Sequence, residues 1–173
     1  MGYQTRYSGG DVAVAAFGGV PAHTFPPIGF VTQAALSAAN DTLYARVLNG
    51  YTTAATAVRI NIGTSSGNIC VAVYADNGSG MPGLQIATSG SVASPGTGTR
   101  SISLTSTVDV RPGMWLAISA DNTTVTFARG SSPGSSLSVF GAKFQAIEAS
   151  AFPAPALANG ASAWRGEYIM VAE

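Results

Sequence analysis

The chain has 173 residues, enough for one well-buried domain and short for two. Only 9% of them are charged, eight basic against eight acidic, where soluble domains average roughly a quarter. Nothing in this balance points to nucleic acid or anionic membrane, and it leaves a surface of Ser, Thr, Asn, Gly and Ala. Charge this sparse resists aggregation weakly, which favours a protein that lives assembled with others.

Residues 1–30 read as an extended N-terminal arm. Gly9-Gly10, Gly18-Gly19, Pro21 and Pro26-Pro27 break any sustained period, with Tyr3, Tyr7, Phe17 and Phe25 scattered among them. Aromatic content this high is unusual for a solvated linker, so these four residues are expected to anchor the arm on a partner or a neighbouring subunit. Met1 to Arg6 lacks the apolar core of a secretory signal, and Arg6 stands where myristoylation wants Ser or Thr. Val12 to Asn40 is free of Asp, Glu, Lys and Arg, yet its prolines and glycines exclude a membrane helix.

Residues 31–173 read as a single β-sandwich domain. Leu43 to Leu48 forms a short run closed by Asn49-Gly50. Val58, Ile60 and Ile62 alternate with Arg59 and Asn61, the pattern of a half-buried strand. Ile69, Val71 and Val73 repeat it, and Leu84-Gln85-Ile86 opens the next strand. Ile102 and Leu104 follow, then Met114, Leu116 and Ile118, then Val125 and Phe127, then Leu137, Val139 and Phe140. Tyr168 to Val171 closes the chain as a strand expected to be buried. Ala34 to Asn40 is the one short stretch with any helical character. Many short strands with Gly, Pro and Asn turns predict an all-β fold, an antiparallel, jelly-roll-like sandwich.

Few residues offer chemistry. His23 sits in the Pro-rich arm with no Cys, Asp or Glu beside it, so no catalytic or metal role is expected for it. Cys70 is the single cysteine and reads as a small buried hydrophobe. Asp76-Asn77 and Asp121-Asn122 follow strands, and their loops would form a paired-carboxylate cleft only if they met at one end of the sandwich. The plainer expectation is that both pairs cap turns. Asp76, Asn77 and Ser79 are hard oxygen ligands of the calcium type, but one carboxylate makes a weak site, so no metal and no cofactor are expected. Trp115 is out of phase with Met114, Leu116 and Ile118 and should point away from their face, covered by a loop or a neighbour. Trp164 lies in a late loop, where it would lock the closing strand. Asp76, Asn77, Asp121, Asn122 and Trp115 together make the candidate contact surface of the loops.

Val73-Tyr74-Ala75-Asp76-Asn77-Gly78, the Gly80-Met81-Pro82-Gly83 turn and Arg111-Pro112-Gly113-Met114-Trp115-Leu116-Ala117-Ile118 resemble β-sandwich modules of bacteriophage structural proteins. These are the tail-fibre and head-decoration or cement types, and the similarity spans about residues 40–128. The resemblance implies a non-enzymatic virion protein, made in the host cytoplasm; from composition, no nucleic acid partner and no membrane insertion are expected. It implies a homo-oligomer, a trimer by the family's habit, fastened to capsid or tail proteins by its arm. The alternative is a receptor- or carbohydrate-binding module of a tail fibre, with host-surface glycan as its partner.

Overall fold

Alternation between apolar and polar side chains draws most of these runs into strands, and the computed structural model places the described ones in two packed antiparallel sheets. It describes residues 31–48, 52–130, 145–163 and 170–173. The expectations for Tyr3, Tyr7, Phe17, Phe25, His23, Trp164 and the 137–140 strand fall outside the described residues, as do Tyr168 and Ile169. In chain order the strands are β1 (Val31–Ala34), β2 (Thr42–Arg46), β3 (Thr53–Thr64), β4 (Asn68–Asp76), β5 (Pro82–Thr88) and β6 (Val92–Ala93). They continue as β7 (Gly98–Val110), β8 (Trp115–Ala120), β9 (Thr126–Gly130), β10 (Gln145–Glu148), β11 (Ser162–Ala163) and β12 (Val171–Ala172). Ala34 to Asn40 is not helical. It leaves β1 through a turn that Asp41 caps, its carboxylate accepting from Ser37 Oγ at 2.7 Å and Ala38 N at 3.0 Å.

One sheet runs β1-β9-β3, with β12 and β7 also paired to β3; the other runs β11-β10-β2-β8-β4-β5, with β6 on β4. Ile69, Val71 and Val73 of β4 and Leu116 and Ile118 of β8 meet Val58, Ile60 and Ile62 of β3 between the sheets. Met170, just before β12, and Ala172 within it are buried in the same core. The β3–β7 ladder is interrupted. Ala57 faces Ser103 while Ala55 faces Val108, so residues 104–107 bulge opposite Thr56.

The second sheet departs from the expected polar outer face. Tyr44, Cys70, Tyr74, Trp115 and Ala117 form a second buried cluster on the side away from β3. Every residue of β8 is buried as a result. The cover is residues 149–161, an Ala/Pro strap that places Ala154 and Ala158 against the rings. An aromatic side chain buries roughly 150–250 Å², which at about 25 cal/mol per Å² stabilises by several kcal/mol. Three such rings matter against a net stability of about 5–15 kcal/mol. Hydrogen bonds seat the strap. Tyr74 Oη donates to Pro155 O at 2.5 Å, Gln85 Nε2 to Ala154 O at 2.9 Å, and Thr42 Oγ1 to Ala151 O. Backbone pairing adds Gln85 N to Ala156 O at 2.9 Å and Ala158 N to Gly83 O at 3.0 Å, so the strap also runs along β5.

Two substitutions under the strap should move stability in opposite directions. Ser119 Oγ is buried with no hydrogen-bond partner among the described residues, so Ser119→Ala should leave melting unchanged or raise it. Tyr74→Phe removes the strap's hydroxyl anchor and should cost about 1–2 kcal/mol. Denaturant unfolding of both variants checks the pair, and a destabilised Ser119→Ala protein would contradict the first expectation.

Candidate functional site

The geometry of the turn between β4 and β5 follows from Asp76. The carboxylate ends β4 and folds back over its own loop, with Oδ1 accepting from Gly78 N at 2.8 Å and Gly80 N at 3.2 Å. Asn77 repeats the device one residue on. Its Oδ1 accepts from Ser79 N at 2.8 Å and Met81 N at 3.3 Å. Gly78 sits at φ +84°, a left-handed conformation that glycine adopts without strain.

Asp76 Oδ2 faces inward. It accepts from Trp115 Nε1 at 3.2 Å and lies 3.5 Å from Arg46 Nη2. The Arg46 guanidinium carbon is 5.9 Å from the centre of the Trp115 ring, and Arg46 Nε donates to Gly113 O at 3.3 Å. Strand register assembles the group, because Trp115 is paired with Arg46 on one side and Tyr74 on the other. Arg46 therefore ties the Arg111-Pro112-Gly113 turn to the Asp76 loop. Partial burial opposes ionisation of Asp76, but hydrogen bonds from Trp115, Gly78 and Gly80 and the Arg46 charge outweigh it and hold the carboxyl below its ordinary range.

The Asp121 loop lies at the other end of β4. Asp121 Oδ1 accepts from Asn122 Nδ2 at 2.7 Å and Asn68 N at 3.0 Å, and Oδ2 from Asn68 Nδ2 at 2.8 Å. Asn122 Oδ1 takes Thr124 N and Val125 N at 2.8 and 2.9 Å. Gly67, at φ +56°, passes so close that a Cβ would stand 2.3 Å from Asp121 Oδ1. Hydrogen bonds from Asn122 first, then from Asn68, hold this carboxyl low as well. From Asn68 to Asp76 the strand advances eight steps, about 26 Å at the rise of a strand. The two aspartates therefore do not meet, and the one-ended cleft is corrected: the span exceeds the 5–10 Å, roughly, that paired catalytic carboxyls require.

The candidate contact surface is thus divided. Asp76, Asn77 and Trp115 belong to one end and Asp121 and Asn122 to the other, and Trp115 is fully buried. A sugar ring cannot stack on a tryptophan covered in this way. No group of three His, Cys, Asp or Glu side chains able to hold a metal occurs among the described residues. The Cys70 thiol is buried beside Thr88 Oγ1 at 3.3 Å.

A third polar group went unread in the sequence. Tyr44 Oη donates to Glu148 Oε2 at 2.8 Å, and Gly160 N donates to Oε1 at 3.0 Å, so Glu148 clamps the far end of the strap. The Tyr44 and Tyr74 rings meet edge to face with centroids 5.0 Å apart. Burial pushes both phenols well above their ordinary range, where they act as neutral donors. Arg46 also went unread, although a lone basic residue interrupting an apolar run is a signal the sequence carries. No protein-family model, no curated protein and no solved structure matches this chain.

Both loop aspartates have lowered carboxyl pKa values, so each stabilises the fold fully above the ordinary carboxylate range, near 3.8, and loses its contribution as pH falls through and below it. Melting temperature should stay flat from neutral pH to about 5 and decline below about 4. Asp76→Asn should cost about 1–2 kcal/mol at neutral pH, and the gap to the unsubstituted protein should narrow in acid. A gap that widened below pH 4 would contradict this account.

Proposed function

We propose that the chain is a non-enzymatic structural protein of a bacteriophage particle, working beside copies of itself as a decoration, cement or fibre-type protein. In this reading the first 30 residues fasten it to capsid or tail, and the sandwich faces outward. The observation that carries the reading is an apolar patch at the β5 edge. Leu84 is 62% exposed, Ile86 44% and Leu157 51%. Leu84 and Leu157 face each other across an isolated bridge between β5 and the strap.

Scattered exposed leucines are ordinary, but grouped ones mark association surfaces. The surroundings favour a partner without charge, since residues 77–99 and 149–164 contain no Asp, Glu, Lys or Arg. A second copy offers such a neutral surface. The loops support the same reading from the other side, because their carboxylates and amides are engaged in holding loop shape. The trimer number and the virion setting come from the sequence resemblance.

Light scattering on the purified protein should give a stable multiple of the chain mass, three by the resemblance. A Leu84→Ser, Leu157→Ser double variant should shift it to the single-chain mass while keeping its far-ultraviolet spectrum. Deleting residues 2–28 should abolish rebinding to stripped particles. A clean monomer from the unsubstituted protein would remove the basis for assembly, and unimpaired rebinding after deletion would remove the anchoring role.

A further inference from the structure

The β4–β5 turn holds an arrangement of reacting groups that the structural reading leaves unused. Asn77 is followed by Gly78, and both are exposed. A backbone nitrogen that follows asparagine is a nucleophile positioned one residue from an amide carbonyl, and glycine leaves its approach free of a Cβ. No atom stands within 4 Å of the place a Gly78 Cβ would occupy.

Three further groups converge on this pair. The Gly78 N–H donates to Asp76 Oδ1 at 2.8 Å, so a carboxylate already sits on the proton that a nucleophilic nitrogen must lose. The side-chain oxygen of Asn77 accepts from Ser79 N at 2.8 Å and Met81 N at 3.3 Å. Two N–H donors on that atom also fix which end of the amide is oxygen. They stand where negative charge develops when the amide carbon is attacked, as the donors of an oxyanion hole do. The turn thus presents a base, a nucleophile, an electrophile and an anion-stabilising pair within six residues.

The geometry points to Asn77 as a site of self-catalysed deamidation. Gly78 N bonds to the Asn77 side-chain carbonyl carbon while its proton passes to Asp76 Oδ1. The carbon–nitrogen bond of the side-chain amide then breaks, and the proton returns to the departing nitrogen, which leaves as ammonia. The product is a five-membered succinimide joining residues 77 and 78. Water opens it at either carbonyl, giving aspartate at 77 or its isomer with the main chain running through the β-carbon. Asp76 is regenerated.

The same molecule contains a partial copy for comparison. Asn159-Gly160 is also exposed, and Gly160 N donates to Glu148 Oε1 at 3.0 Å. There the base is present, but no donor onto the Asn159 side-chain oxygen occurs among the described residues.

The test incubates the full-length folded protein at neutral pH and follows Asn77 and Asn159 by peptide mapping, reading the one-dalton gain and the isoaspartate content. A synthetic peptide of residues 71–83 supplies the rate without the fold. Asn77 in the folded protein should deamidate at least about tenfold faster than in the peptide, and faster than Asn159. Asp76→Ala should bring it down to the peptide rate or below. A folded rate equal to or below the peptide rate would show that the hydrogen bonds protect the turn, and would overturn the proposal. An Asp76→Ala protein as fast as the unsubstituted one would remove the carboxylate from the chemistry.

Discussion

The covering of one sheet on both faces is the constraint from which the other features follow. A sheet in a two-layer sandwich has one dry face, and its strands alternate accordingly. Here β2, β4 and β8 carry large rings on the second face, and water cannot be left against Tyr44, Tyr74 and Trp115. The strap of residues 149–161 answers that demand with small side chains that let its backbone approach closely. Its own carbonyls are then met by Tyr74, Gln85 and Thr42 from the strands below. Apolar cover and polar seat are supplied by the same few residues.

Trp115 connects this layer to the loops. Its ring is part of the buried cluster, while its indole nitrogen reaches the carboxylate that shapes the β4–β5 turn. Arg46 closes the circuit over the ring. The conformation of an exposed turn is thereby referred to the packing of the sheet interior. Asp121 performs the equivalent task at the other end with amides in place of an indole and a guanidinium, and in a more open setting.

The sandwich itself was legible because period-two alternation and Gly/Pro/Asn turns are local signals. Val58 to Ile62 and Ile69 to Val73 show them plainly, and the phase of Trp115 against Leu116 placed it correctly on the opposite face. The second buried face was not legible. Cys70 read as buried and Trp115 as covered, but Ala72, Tyr74 and Ala117 read as the outward half of alternating strands, and only a segment some forty to eighty residues later makes them interior. Ala149 to Ala161 has no periodicity of its own, because a strap is held by what lies under it. The separation of Asp76 from Asp121 escaped for a related reason. Both follow strands, but β4 and β8 are antiparallel neighbours, so the ends that follow them point in opposite directions.

The two strands that bound one side of the sandwich, β5 and β7, contact each other across it. Each is modified where a foreign strand would add. The strap already lies along part of β5, and the bulge at 104–107 bends β7 out of a straight ladder. Backbone templating by a foreign strand, which has no terminus and runs on into fibres, is therefore obstructed on this side by the chain's own strap and bulge.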